Sequence, residues 1–147
     1  MTARATLTRR AGIAIFVLGA LAVLAVTQWP FAFDFSAEGF ARGRARIEWI
    51  FLYRDDDGHI LLDGDLIRNL LLLAPLGAGW ALLRVESSLR RTLLEALLVG
   101  AAMAMFVETL QIFTPTRVPQ LADVWRNTLG CVLASPPAWW LGRRFRS

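Results

Sequence analysis

Three stretches of this 147-residue chain place ionisable and amide side chains at helical spacing. Asp65 and Asn69 are four apart, as are Asp123 and Asn127, while Glu108 and Gln111 are three apart, so each pair shares one helix face. Arg68, Arg117 and Arg126 stand among them. The set suits recognition of a polar ligand: arginines offer bidentate hydrogen bonds to anionic groups, and amides fix orientation. The alternative is catalysis, with Glu108 as general acid or base and Asp123 or Asp65 as partner carboxylate. No Ser, Cys or His nucleophile accompanies them, which argues against a covalent acyl route and leans the reading away from an enzyme. A divalent ion held by Asp65, Glu108 and Asp123 is the weakest option. No metal and no cofactor is expected.

Composition decides what must carry these residues. The chain is 56% hydrophobic with mean hydropathy +0.47, oilier than the roughly 45–50% of soluble domains. One cysteine and one histidine exclude an internal disulfide framework and a Cys/His zinc site. All 16 basic residues are arginine, and the net charge is +4. Their placement argues for membrane topology rather than nucleic-acid binding.

A helix crossing a hydrocarbon layer of ~30 Å needs roughly 20 mostly apolar residues. Four segments meet this in the reading: 11–29, 66–83, 93–113 and 121–142, with an extracytoplasmic loop over 30–64. The fold expected is an all-α membrane protein, a four-helix bundle forming a single domain over 1–147. The first segment follows Arg4, Arg9 and Arg10 and is stopped by Pro30. It is read as a retained span, although it also has the layout of a signal peptide. Pro75 and Gly77 predict a kink in the second segment.

With four crossings, nine arginines fall on one side (Arg4, Arg9, Arg10, Arg84, Arg90, Arg91, Arg143, Arg144 and Arg146) and five on the other (Arg42, Arg44, Arg46, Arg54 and Arg117). The positive-inside rule puts both termini in the cytoplasm. Trp139 and Trp140 fit an aromatic belt at that interface. Within the loop, Ile47–Leu62 reads either as a hairpin turning at Asp57-Gly58 or as an interfacial helix with Phe40, Trp49, Phe51 and Tyr53 on the outer leaflet. The acidic run at Asp55–Asp57 is a turn, since an EF-hand would need other residues at its first and last ligand positions. Cys131 reads as packing and His59 as a solvated loop residue.

Depth along the helices brings the charges together. Glu95 pairs with Arg91 at the inner interface, and Glu108 lies 13 residues further, about 20 Å up the helix. Arg68 lies 16 residues from Arg84 and Arg126 17 residues from Arg143, about 24 and 25 Å. Three ionisable groups thus reach one level in the outer half of the membrane, where an isolated charge costs from ~3 to over 10 kcal/mol. Arg68 and Arg126 are the expected partners of Glu108, with Asp65 and Asp123 completing the balance. Below Glu108 the same face carries Ala104 and Ala101, and below Asn127 it carries Gly130 and Ala134. Such small residues mark inward, closely packed surfaces.

Two blocks then resemble a known family. Asp65-Leu-Ile-Arg-Asn69 followed by Ala74-Pro75-Leu76-Gly77 is similar to the D-x-x-x-N…P-L-G stretch of the VanZ-like family. Glu108-Thr-Leu-Gln111, Arg117 and Asp123-Val-Trp-Arg-Asn127-Thr-Leu-Gly130 resemble its E-x-x-Q…R…D-x-x-x-N-x-x-G block. Gln120 stands where that family often has an acidic residue. The resemblance implies a multi-pass membrane protein acting at the outer leaflet on a cell-envelope component, as in resistance to the glycopeptide teicoplanin. The ligand expected is a lipid-linked cell-wall precursor or an amphiphilic glycopeptide, with membrane lipids around the bundle and no nucleic acid. An enzyme acting on a polyprenyl-linked or phospholipid head group is the first alternative, and a purely structural polar lock the second. A transporter is disfavoured, because the polar residues stay in one half of the membrane.

Overall fold

A computed structural model of the chain describes residues 3–53 and 64–146. The expected hairpin turn at Asp57-Gly58, the acidic run, Arg54 and His59 lie outside the described residues. The architecture is all-α: α1 (Ala3–Gln28), α2 (Ala37–Ala45), α3 (Gly64–Leu72), α4 (Ala74–Leu83), α5 (Leu89–Ile112) and α6 (Leu121–Arg146). Among the described residues, three segments are long and apolar enough to cross a membrane: Ala3–Gln28, Gly64–Leu83 and Leu89–Ile112. The protein is therefore a multi-pass, all-α membrane bundle. The expectation of four such segments meets three. α6 has the length, but Asp123, Arg126 and Asn127 near its start and Pro136-Pro137 within it lower its apolarity.

Local chemistry sets each boundary. α1 runs past its apolar stretch toward the N-terminus, through Arg4, Arg9 and Arg10, and ends just before Pro30. The second segment is broken rather than gently kinked. Pro75 sits in the first turn of α4, where its missing N–H costs least, and Leu73 separates α3 from α4. Ser88 caps α5 by accepting from the Arg91 N–H at 3.3 Å.

The described part of the loop holds a helix that neither sequence expectation included. Its helix is α2, upstream of Ile47, capped by Ser36 accepting from the Gly39 N–H, with Glu38 in its first turn and Arg42 and Arg44 in its last. That charge order matches the helix dipole. Arg42 reaches back to Asp34 at 2.7 Å, and Ser36 donates to the same carboxylate from its hydroxyl at 2.6 Å and its N–H at 3.0 Å. These bonds, Ser36 foremost, hold the Asp34 carboxyl below the usual carboxylate range. Glu48 forms an isolated parallel bridge with Gln120, tying the loop to the α5–α6 connection.

Packing rests on small residues rather than a large core. The buried cluster is Val23, Leu73, Leu76, Ala96, Ala104, Val107 and Cys131. Gly77 of α4 lies so close to the Cys131 carbonyl of α6 that a Cβ there would collide with it, and Gly130 meets the Leu70 carbonyl of α3 in the same way. The buried line on α5 is Thr92, Ala96, Gly100, Ala104 and Glu108, one residue per turn. Ala104 was legible as inward; the rest of the line runs through Gly100 and Ala96 rather than Ala101. Outside, Leu18, Leu21, Leu98, Met105 and Leu133 are exposed, as lipid-facing residues must be.

The two ends of the bundle differ in chemistry. At one end the start of α1 approaches the end of α6, with Thr8 near Gly142. Arg84 donates twice to Glu95, at 2.6 Å each, and Arg91 adds a third bond at 2.9 Å. The expected Arg91–Glu95 pair is thus present, but Arg84 is the stronger partner. Arg143 and Arg144 stack over Trp139 and Trp140 at 4.6 and 4.4 Å. At the other end lie α2, the aromatic residues Phe31, Phe33, Phe35, Phe40 and Phe113 in successive ring contacts, and the polar residues singled out above.

Candidate functional site

The ends of α1 and α5 and the starts of α3 and α6 surround a polar cavity of about 360 Å³. Asp65, Arg68 and Asn69 reach it from α3, Gln111 from α5, Arg117 and Gln120 from the α5–α6 connection, and Asp123 from α6. Val26, Leu72 and Val118 supply apolar wall. Six of the nine residues marked in the sequence therefore line one space. Glu108, Arg126 and Asn127 do not; all three are buried in the bundle behind it.

The pairing differs from expectation in an instructive way. Glu108 is 8% exposed, yet it is paired with neither Arg68 nor Arg126. Its Oε2 accepts the backbone N–H of Gln120 at 2.7 Å, so it fastens the connection entering α6. Arg68 turns along its own helix to Asp65, three residues away, and its side chain is 78% exposed. Arg126 approaches Asp123 at 3.9 Å and lies over the rings of Tyr53 and Trp125, at 5.2 and 5.8 Å. A charge on another helix was a poorer partner than one a single turn away on the same helix. The two aspartates do balance the arginines, as the sequence suggested.

Asp123 links the elements. Its Oδ1 accepts from the Asn69 amide at 2.6 Å, joining α6 to α3 across the cavity wall. Arg117 does not stand in open solvent; it donates to the carbonyls of Val26 and Trp29 at 3.3 and 3.5 Å, capping the end of α1 while it lines the cavity. These carbonyls are among the groups a helix end leaves without partners. Among the described residues, no three of His, Cys, Asp and Glu converge as metal ligands, so Asp65, Glu108 and Asp123 do not form the ion site considered from sequence.

Sequence reasoning missed a second polar group beside this one. Glu48 Oε2 accepts the Tyr53 hydroxyl at 2.5 Å and the Gln120 amide at 3.2 Å. Burial first, and then the Glu48 carboxylate, pushes the Tyr53 phenol up to about 12. Trp125 closes the group by donating to the Phe51 carbonyl at 2.6 Å. Nothing in the spacing of Glu48 marked it, because a loop residue has no periodicity to betray its direction. Gln120 had a signal: it was the one position where the motif departed from pattern, and it donates to both Glu108 and Glu48. Gln28 was also passed over. It is buried at the end of α1, and its amide reaches Thr27 and the Val107 carbonyl at 3.2 and 3.4 Å.

Neither curated proteins nor solved structures give a significant match to the chain. A family profile described as VanZ/LLP1 matches residues 13–141, a stretch that includes every residue lining the polar cavity. The chain belongs to the VanZ/LLP1 family.

Proposed function

We propose that the polar cavity receives the head group of an amphiphilic cell-envelope component, approached from the outer face of the membrane. The observation that carries this is the lining itself: six of the residues marked in the sequence, from three helices and a connection, around about 360 Å³. That size lies within the range of small-ligand sites, roughly 300–1,000 Å³. Arg68 and Arg117 suit phosphate or carboxylate, Asp65 and Asp123 suit hydroxyls and amines, and the amides of Asn69 and Gln111 orient the group. Val26, Leu72 and Val118 are apolar neighbours for the start of a lipid tail. A lipid-linked cell-wall precursor and an amphiphilic glycopeptide both have this chemistry.

In this reading α6 is the fourth crossing. It packs on α3, α4 and α5 and exposes Leu129, Leu133, Trp140 and Leu141 on its free side. Both ends of the chain then lie in the cytoplasm, because the arginine-rich end of the bundle holds them both. The polar cavity faces outward.

Catalysis through Glu108 is the poorer reading. The carboxylate does not line the cavity and holds a backbone N–H. Glu108, Arg126 and Asn127 serve as the support behind the site, which assigns the structural lock to them and binding to the residues in front. The test is titration of the purified protein in lipid nanodiscs with a lipid-linked cell-wall precursor and, separately, with teicoplanin. Gln111→Leu should weaken binding about tenfold, the worth of one buried hydrogen bond, while leaving the melting temperature unchanged. Equal affinity in wild type and Gln111→Leu overturns the proposal.

A further inference from the structure

The opposite end of the bundle carries a second, larger cavity of about 550 Å³ between the start of α1, the end of α4 and the end of α6. Its walls are apolar: Leu7, Leu82, Leu141 and Phe145. Leu7 and Phe145 are 69% and 62% exposed, so the walls are open to whatever surrounds the protein. Gly142 belongs to the lining; a Cβ there would run into Val85 and Leu82, so the missing side chain keeps the α4–α6 approach close. At the mouth stand Arg4 and Arg144, and no carboxylate lines the space. Arg144 is fixed there by its stack on Trp140 at 4.4 Å. This cavity thus combines a tail-sized apolar trough with two guanidinium groups at its lip.

We infer that this trough is a binding site for one anionic phospholipid, with an acyl chain between α1 and α6 and the phosphate at Arg4 and Arg144. Charge complementarity selects the occupant. Guanidinium groups pair phosphate with two parallel hydrogen bonds, and apolar walls open to the bilayer favour a chain already dissolved in it. A zwitterionic lipid offers the same tail, but its own cation competes for the phosphate. The surrounding end of the bundle is arginine-rich, so anionic lipids are concentrated there before any one is seated. The site is independent of the polar cavity, which shares no lining residue with it.

The experiment uses the full chain purified in detergent and supplied with phosphatidylglycerol, with phosphatidylcholine of the same acyl chains, or with inorganic phosphate. Lipid retention is read by native mass spectrometry, and stability by the melting temperature. Wild type should retain phosphatidylglycerol about tenfold better than phosphatidylcholine, as expected for one charge-assisted pairing, and should melt higher in its presence. The double variant Arg4→Gln/Arg144→Gln should lose that preference while melting normally without lipid. Ala11→Phe, which fills the lining from an exposed position of α1, should reduce phosphatidylglycerol retention to the phosphatidylcholine level. Arg10→Gln/Arg90→Gln removes two charges from the same end but none from this lining, and should retain the preference. Equal retention of the two lipids overturns the site. So does an equal loss in the Arg10/Arg90 variant, unchanged retention in Ala11→Phe, or full stabilisation by inorganic phosphate alone.

Discussion

Replacing Glu108 separates a carboxylate used for its shape from one used for its charge. In the structure Glu108 holds one bond, from the Gln120 N–H at 2.7 Å, and is 8% exposed. Glu108→Gln puts a carbonyl oxygen in the same place. The bond falls from charge-assisted to neutral, a loss of about 1 kcal/mol, offset by no longer having to keep a charge in apolar surroundings. The other carboxylate oxygen is not among the sealed, unpartnered polar atoms, so the new amide N–H₂ does not become one more of them. The net change should stay within about 1 kcal/mol. Glu108→Ala instead leaves the N–H without its acceptor, costing about 1–2 kcal/mol at this buried position, and opens a small cavity worth about 1 more. A total of about 2–3 kcal/mol is a large share of the roughly 5–15 that holds a domain together. Reversible unfolding in mixed micelles, monitored by tryptophan fluorescence, measures both variants against wild type. If Glu108→Gln is destabilised as much as Glu108→Ala, the charge itself is held, and the account of Glu108 as a neutralisable fastening is wrong.

Three further outcomes follow from other parts of the molecule. Gly77→Leu should prevent normal assembly, since even a Cβ meets the Cys131 carbonyl, whereas Gly64→Ala, with open space around it, should be tolerated and add up to about 1 kcal/mol of helix propensity; thermal melting in detergent compares them. Tyr53 is the sole tyrosine, so tyrosinate absorbance during alkaline titration reads it alone; it should ionise near pH 12, and Glu48→Gln should lower that midpoint by removing an acceptor and a negative charge. Reporters fused to either terminus should both report the cytoplasm if α6 crosses as the fourth helix, and opposite sides would leave three crossings.

Much of the scaffold was legible because helices in lipid announce themselves. The apolar run after Arg10, a disturbance of the helix at Pro75 and the inward place of Ala104 below Glu108 each follow from a local rule, whereas the full break at Leu73 and the course of the buried line through Gly100 and Ala96 do not. The cavity was legible for the same reason: the i, i+4 pairs fix which side chains of α3 and α6 point inward, and Asn69 and Asp123 do meet at 2.6 Å. Partner choice was not. Arg68 had a carboxylate three residues away on its own helix, and that short path prevailed over a longer one to Glu108. The acceptor role of Glu108 depends on where the Gln120 N–H points, and a connection of eight residues has no period from which to read it. α2 was missed although its cap and charge order were present in Ser36, Glu38, Arg42 and Arg44. A nine-residue helix beside a run of aromatics gives a weak hydrophobic signal, one that the aromatic pattern outweighs.

The most direct test of the polar cavity as the ligand's seat is a photo-crosslinking map. A photoreactive residue placed at Val118, in the cavity wall, is compared with one at Leu98, exposed on the outer face of α5. Protein in nanodiscs is irradiated with a lipid-linked cell-wall precursor at trace level among bulk lipid. Adducts concentrated at position 118 and competed away by excess unlabelled precursor are the result this account predicts. Equal, non-competable labelling at both positions would contradict it.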